Sequence, residues 1–179
     1  SYHADNVAPI ILGGITLVRS INEIDVINLP SPKSLEVIII RPNIELKTSD
    51  SRKVVKKKIE IEKMVKQSAN LGSFVSSLYT EDFDLMSRSI VDFIAEPNRR
   101  ILIPEFDNLI KISKINGAIA SGISGSGPSI FSLSNDSIVS EKILKATTNH
   151  YDKLGISYDG FISKINTTGI KILESNWNI

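Results

Sequence analysis

Residues 122–129 read Gly-Ile-Ser-Gly-Ser-Gly-Pro-Ser, and they separate two strand-like runs at residues 118–120 and 130–133. Glycine reaches positive φ without steric cost and lets the backbone approach a ligand closely. Successive N–H groups in such a turn can form a concave anion-binding nest. A hairpin tip needs only one or two special residues, so this excess of turn residues predicts a loop that lines a site. A plain glycine-rich hairpin with no ligand is the alternative.

The composition describes an ordinary globular chain. It has 179 residues, 41% of them hydrophobic and 23% charged, and a formal net charge of +1. This charge gives no reason to expect nucleic acid or a membrane surface as a partner. The absence of cysteine excludes disulfides and thiolate metal sites. Two histidines, His3 and His150, are too few and too far apart to suggest zinc. We expect a cytoplasmic protein, because no segment has the character of a membrane span or signal peptide.

Hydrophobic periodicity predicts alternating strands and helices. Strands are expected over residues 15–18, 25–29, 35–40, 118–120, 130–133, 160–165 and 169–173. Helices are expected over residues 61–78, 82–94 and 138–154, after Pro104, and over a short segment around Arg52. Asp5 or Asn6 is expected to cap an N-terminal helix, residues 48–50 to cap the short helix, and Gly155 to end the helix before it.

From residue 35 onward the order is strand, helices, strand, hairpin, strand, helix, strand. This order predicts an α+β fold of the ferredoxin-like, split βαβ type, with helices packed on one face of an antiparallel sheet. The fold alone does not identify a function, because many activities use it.

Three further groups of residues could carry chemistry. Asp5 and Asn6, with His3 nearby, could bind an alcohol or amino group at a helix start. Arg52 lies close to a helix N-terminus, where a cation is disfavoured unless it meets an anion. Arg99 or Arg100, in the run Glu-Pro-Asn-Arg-Arg, could clamp a carboxylate or phosphate bidentately. A surface position remains the alternative for any single arginine.

Residues 117–129 resemble the C-terminal glycine-rich motif of the GHMP small-molecule kinases. Three further blocks resemble the homoserine kinase branch of that superfamily. They are His-Ala-Asp-Asn-Val-Ala-Pro at 3–9 with Gly-Gly at 13–14, Arg-Pro at 41–42 through Thr48 to Arg52, and Glu-Pro-Asn-Arg at 96–99 followed by Ile-Pro at 103–104. The four blocks follow the family's order and spacing over nearly the whole chain. The pairing of His-Ala-Asp-Asn-Val-Ala-Pro with Glu-Pro-Asn-Arg is far more selective than the glycine motif.

The resemblance implies transfer of a phosphoryl group from MgATP to L-homoserine, which gives O-phospho-L-homoserine for threonine biosynthesis. Asp5 would hold the substrate ammonium group, and His3 and Asn6 would line the pocket. Arg52 and Arg99 would grip the carboxylate. The loop residues would close on phosphate and substrate; they are Gly122, Ser124, Gly125, Ser126 and Gly127. No catalytic base is assigned, because the resemblance gives Asp5 a binding role.

The chain departs from the family in one respect. The Pro-x-x-x-Gly-Leu-Gly-Ser-Ser-Ala type phosphate loop and the magnesium-holding glutamate of the family's N-terminal part do not occur in these 179 residues. We therefore expect the tail of the N-terminal kinase domain at residues 1–34 and the C-terminal domain at 35–179, with no metal ligand here and no activity for this chain alone. A homodimer is possible within the resemblance.

Two other functions stay open. One is a GHMP kinase that acts on a different small alcohol. The other is a non-catalytic ferredoxin-like domain that binds a small molecule. The pairing of an acidic residue with two arginines favours an amino-acid substrate over an uncharged or purely acidic one.

Overall fold

A computed structural model describes residues 4–171. The chain divides into two compact units, which are described separately. The first comprises Ser1–Lys33 with Ile165–Ile179, and the second comprises Ser34–Lys164. The boundary after residue 33 lies next to the one predicted from the sequence, but residues 165–179 group with the first unit. The assignment of these units to kinase domains stays a prediction.

The first unit consists of a helix and a two-stranded hairpin. Helix α1 spans Ala4–Leu12, and strands β1 (Ile15–Ser20) and β2 (Asp25–Leu29) pair antiparallel. Asp5 and Asn6 lie inside α1, so the prediction that one of them is the N-cap is wrong. At this position the carboxylate of Asp5 instead meets the positive end of the helix dipole.

The second unit is built on a four-stranded antiparallel sheet. Its strands are β3 (Glu36–Pro42), β4 (Ala120–Ile123), β5 (Ile130–Ser134) and β6 (Tyr158–Lys164). They lie in the order β4-β5-β3-β6. The strand that begins the unit is therefore flanked by the third and fourth strands, which is the ferredoxin-like arrangement. The predicted α+β fold class is confirmed.

The helices of this unit are α2 to α7. Their bounds are α2 Thr48–Lys53, α3 Ile61–Thr80, α4 Phe83–Ser89, α5 Glu96–Arg99, α6 Phe106–Ile115 and α7 Ser137–Lys153, with a 3₁₀ turn at Arg100–Leu102. Helix α7 packs on β3, β5 and β6, while α6 packs on α7 and β4. None of the helices within residues 4–171 has the length and apolar character to cross a bilayer.

One face of the sheet and the helices on it enclose the core. Ile38 and Ile40 on β3 are buried and alternate with less buried neighbours, as expected for a strand with one face inward. The central cluster of buried side chains is Ile40, Ile103, Phe106, Leu109, Ile130 and Tyr151. The Tyr151 hydroxyl donates to the Pro104 carbonyl at 2.9 Å, so this buried polar group has a partner. Burial raises the pKa of Tyr151 to about 12.

Several predicted boundaries change. Thr48 is the first residue of α2, whose N-cap position is Lys47 without a side-chain hydrogen bond, so the predicted 48–50 cap is wrong. Helix α4 ends at Ser89 and not near residue 94. Strand β3 continues through Pro42, which pairs with Tyr158. The strand predicted at 169–173 does not form at 169–171, and its last two residues lie outside the described residues. Gly155 ends α7 as predicted, at φ +68°.

Candidate functional site

The glycine-rich segment is partly strand and partly turn. Gly122 and Ile123 belong to β4, so the predicted loop over 122–129 is two residues too long. The turn closes where the Ser124 N–H donates to the Ser129 carbonyl at 2.8 Å and the Gly127 N–H donates to the Ser124 carbonyl at 3.0 Å. The peptide bond between Gly127 and Pro128 is cis.

The glycines of this segment serve different physical needs. Gly125 and Gly127 have φ of +60° and +79°, which L-residues adopt only at a cost. Glycine reaches this region without steric cost, so the turn uses the property for which glycine was singled out in the sequence. Gly122 does not have positive φ, but a Cβ there would lie 3.0 Å from Glu96 Oε2 and 3.1 Å from the Phe131 ring. A side chain at 122 would therefore force the Glu96 carboxylate or the Phe131 ring to give by a few tenths of an ångström.

Arg99 on α5 joins the turn to α2. Its Nε donates to the Ser51 carbonyl at 3.1 Å, and its NH1 group donates to the Gly125 carbonyl at 3.0 Å. Ser51 is the neighbour of Arg52 on α2. These two bonds bring three sequence blocks together, namely the Arg52 segment, the Glu-Pro-Asn-Arg block and the glycine-rich turn.

A further contact links α2 to the turn. The Oγ1 atom of Thr48 and the Oγ atom of Ser126 are 3.5 Å apart, which is a long hydrogen bond. Ser51 is fully buried, and its hydroxyl finds no hydrogen-bond partner among the described residues. Helix α2 therefore touches the turn through its first residue and touches Arg99 through its middle.

No separate role was predicted for Glu96 from the sequence, although Glu96 belongs to the Glu-Pro-Asn-Arg block. The Glu96 carboxylate is half-buried, and its Oε2 accepts from the Ile123 N–H at 3.4 Å. Burial raises the pKa of Glu96 above its ordinary value, and the nearby carboxylate of Asp92 acts in the same direction. The Ile123 hydrogen bond and the charge of Arg100 act against this rise.

The segment that leads into α5 is held by three side chains for which the sequence predicted no role, namely Asp92, Gln67 and Asn70. Asp92 accepts from the N–H groups of residues 94, 95 and 96 at 2.7, 2.9 and 3.0 Å. Gln67 Oε1 accepts from the Phe93 N–H, and Asn70 Nδ2 donates to the Val91 carbonyl. An aspartate shortly before Glu-Pro is typical of a helix start, because its carboxylate can accept the first backbone N–H groups. The two amides on α3 gave no such signal, because their partners lie more than 20 residues away.

A cavity of about 350 Å³ lies beside this cluster. Glu96, Arg99 and Gly125 line it together with apolar side chains of α3 and β5, among them Phe74 and Phe131. A largely apolar concavity with a few convergent polar groups is the usual form of a small-molecule site. The glycine-rich turn therefore borders a site-like cavity, which a bare hairpin tip in open solvent would not do.

The remaining predicted site residues belong to the first unit. Asp5 and Asn6 lie on α1, and His3 lies outside the described residues. Their predicted roles in holding the substrate amino group stay predictions. Within residues 4–171 no group of three or more acidic or histidine side chains is placed to hold a metal ion.

Comparisons with known proteins agree with the blocks that form this cluster. Residues 74–153 match the family described as GHMP kinases C terminal. Homoserine kinase from Chlorobium phaeobacteroides strain BS1 is 38% identical over 175 residues, which is 97% of this chain and 55% of the relative. Homoserine kinase from Buchnera aphidicola subsp. Schizaphis graminum is 40% identical over 151 residues, 84% of this chain and 49% of the relative.

Solved structures give the same result. The crystal structure of homoserine kinase from Cytophaga hutchinsonii has a TM-score of 0.92 and 43% identity, and the match covers 94% of this chain and 54% of that one. A Streptococcus pneumoniae phosphomevalonate kinase, at 15% identity and a TM-score of 0.61, shares the fold. This chain thus spans about half the length of the relatives it matches. The chain is thus similar, over nearly its whole length, to the C-terminal portion of homoserine kinases, and its residues 74–153 match the GHMP kinases C terminal family.

Proposed function

We propose that the protein containing this chain transfers the γ-phosphoryl group of ATP to the side-chain hydroxyl of L-homoserine. The observation that carries the proposal is the Arg99 bridge between the Ser51 carbonyl and the Gly125 carbonyl. It places the Arg52 segment and the glycine-rich turn beside one another, as a shared substrate site requires. The 36–38% identity to homoserine kinases over nearly the whole chain supports the choice of acceptor.

In this proposal the guanidinium groups of Arg52 and Arg99 bind the substrate carboxylate. Arginine offers five N–H donors in a planar fork that matches a carboxylate. Arg99 uses one donor on each of the two backbone carbonyls, so donors remain for a ligand. Asp5 would pair with the substrate ammonium group, with His3 and Asn6 beside it. This division of charges suits an amino acid and would not suit an uncharged alcohol.

The reaction needs no covalent participation by the protein. The hydroxyl oxygen of homoserine forms a bond to the γ-phosphorus, the bond from that phosphorus to the bridging oxygen of ADP breaks, and the hydroxyl proton is released. Catalysis of such a transfer rests on positioning and on stabilising charge. The Gly127 N–H already donates to the Ser124 carbonyl, so the N–H groups of Gly125 and Ser126 are the ones proposed to face anionic oxygens in this turn.

Magnesium accompanies ATP in the family resemblance. The described residues contain no ligand set for it, so no step here is assigned to the metal. The protein is further proposed to lie in the cytoplasm and to serve threonine biosynthesis. A homodimer is one option for its assembly. The second candidate, a GHMP kinase for another alcohol, has only fold-level support, because a phosphomevalonate kinase structure and a mevalonate kinase structure are only 15% and 14% identical to this chain.

The test is a coupled assay of ADP release by the full-length protein with homoserine, serine, threonine and mevalonate as acceptors. Homoserine should be the preferred acceptor. Replacing Arg99 by Leu should raise the KM for homoserine by about 30-fold to 1000-fold, the equivalent of losing a charge-assisted contact worth about 2–4 kcal/mol. The KM for ATP should stay nearly unchanged.

Arg100→Leu is the matched control. Arg100 is adjacent in sequence, and its NH1 group pairs with the Asp107 carboxylate at 3.0 Å on an exposed surface. Such a pair contributes little, so this variant should keep the KM for homoserine. An Arg99→Leu enzyme with a normal KM for homoserine would remove Arg99 from the site, and a preference for mevalonate would replace the proposed acceptor.

A further inference from the structure

Glu96 touches the glycine-rich segment where strand β4 ends. Its Oε2 accepts from the Ile123 N–H at 3.4 Å. The same oxygen lies 3.0 Å from the position that a Cβ on residue 122 would take. A side chain at 122 would press on this carboxylate, whereas glycine leaves room for it. The Glu96 carboxylate therefore lies against the side of residue 122 on which glycine carries no side chain.

Helix α5, which carries Glu96, is held firmly in place. The two oxygens of Asp92 accept the N–H groups of the two residues before α5 and of its first residue, at 2.7 to 3.0 Å. Asn98 Nδ2 donates to the Ile94 carbonyl at 2.9 Å. Gln67 on α3 holds the N–H of Phe93. A helix of one turn has little stability of its own, so these side-chain bonds set the position of Glu96.

Two oppositely charged side chains on the one-turn helix α5 form hydrogen bonds with the glycine-rich segment at two points. Glu96 and Arg99 are three residues apart, a spacing that places side chains on the same side of a helix. Glu96 accepts the N–H of Ile123 at the entry to the turn, and Arg99 donates to the carbonyl of Gly125 near its tip. An acceptor for the N–H and a donor for the carbonyl fix the direction of the backbone between them.

We infer that Glu96 is a positioning residue that sets the conformation of residues 123–127 for the phosphoryl transfer. The inference rests on the proposed function for its kinetic consequence, but its structural part stands on the contacts alone. Glu96 does not touch the reacting atoms in this account. It holds the β4 end of the turn so that the following N–H groups keep the orientation in which they meet the anionic ligand.

The experiment compares Glu96→Ala, Glu96→Asp and Glu96→Gln in the full-length protein, with Glu105→Ala as the matched control. Alanine removes the acceptor, and aspartate withdraws it from Ile123 by one methylene. Glutamine keeps a carbonyl oxygen at the original reach without the charge. Glu105 is a carboxylate of the same unit, and its hydrogen-bond partners, Asn108 and His150, are not part of the turn.

Two measurements are made on each variant. Amide hydrogen exchange of residues 122–127 should rise about fivefold to tenfold in Glu96→Ala and Glu96→Asp, as expected for the loss of one modest hydrogen bond. The rest of residues 34–164 should keep its exchange rates. In the ADP-release assay the same two variants should lower kcat more than they raise the KM for homoserine. Glu96→Gln and Glu105→Ala should behave as the wild type in both measurements.

Three outcomes would overturn the inference. They are unchanged exchange at residues 122–127 in Glu96→Ala, a rise spread evenly over the whole unit, or a Glu96→Gln enzyme as impaired as the alanine variant. Glutamine is the closest isostere of glutamate, so the Glu96→Gln variant can still be measured if the alanine variant does not fold. Failure of the proposed function is a distinct result, because the wild type would then lack homoserine-dependent ADP release while the exchange data still report on Glu96.

Discussion

Replacing Gly125 by alanine separates the function of the glycine-rich turn from its stability. Gly125 has φ +60°, and a Cβ there would meet no atom within 4 Å. The only penalty is the left-handed backbone, about 1–2 kcal/mol for an L-residue. Gly155, behind α7, has φ +68° and equally open surroundings. Gly155→Ala should therefore lower the free energy of unfolding by the same amount.

The two variants differ in what lies beside them. The carbonyl of Gly125 accepts from Arg99 at 3.0 Å, and the turn borders the cavity, whereas Gly155 only ends a helix. Urea denaturation of the full-length protein should give equal losses of unfolding free energy for the two variants. The ADP-release assay should show a fall in kcat/KM of about tenfold or more for Gly125→Ala, the equivalent of about 1.4 kcal/mol or more in transition-state stabilisation. Gly155→Ala should keep the wild-type value.

Gly127 differs from both of these glycines in its surroundings. Its φ is +79°, and a Cβ would lie 3.0 Å from Ile103 Cδ1 in the core. Overpacking adds about 1–3 kcal/mol to the backbone penalty, so Gly127→Ala should destabilise the fold more than Gly125→Ala does. Equal kinetics for Gly125→Ala and Gly155→Ala would refute a functional role for the turn. Unequal stabilities for these two would refute the reasoning from φ.

Three further predictions concern stability and are tested by denaturant unfolding. Ser51→Ala removes a buried hydroxyl without a partner among the described residues and should leave stability unchanged or raise it by up to about 1 kcal/mol; a clear loss would mean that this hydroxyl is paired. Tyr151→Phe leaves the Pro104 carbonyl without its donor and should cost about 1–3 kcal/mol; no loss would contradict that bond. Burial raises the pKa of Glu96, so the folded state holds its proton more tightly than the unfolded state does. As pH rises from the ordinary value of 4.5 through the raised pKa, the wild type should lose stability relative to Glu96→Gln; a difference independent of pH would contradict the shift.

Local patterns predicted the regular elements of this fold well. The β-branched run at residues 35–40 and the apolar spacing over 61–78 gave β3 and α3, because one buried face imposes a simple period. The order of elements was then enough for the ferredoxin-like topology. The boundaries failed where distant groups decide them. Ile123 was assigned to a loop, and yet it pairs with Ile130 in the sheet.

The candidate site was predictable only in part. A resemblance to family blocks singled out Arg99 and the glycines, and the structure brings these together. No local sequence pattern indicated that Arg99 donates hydrogen bonds to two backbone carbonyls. The contact between Glu96 and residues 122–123 joins positions more than 25 residues apart, so no spacing rule could reveal it. The sequence also carried no sign that α3 supplies Gln67 and Asn70 to hold the segment before α5.

The observed hydrogen bonds of Arg99 and its proposed role in substrate binding together constrain how the site can work. A guanidinium that only bound substrate could swing freely, and the cost of ordering it would reduce the affinity. Here the Ser51 and Gly125 carbonyls already fix the plane of the fork. In the proposed function, a carboxylate that docks on the remaining donors would therefore meet an ordered partner, and the same side chain would couple its arrival to the turn. Lysine at 99 would keep the charge but not the planar fork, so charge alone would not reproduce this coupling.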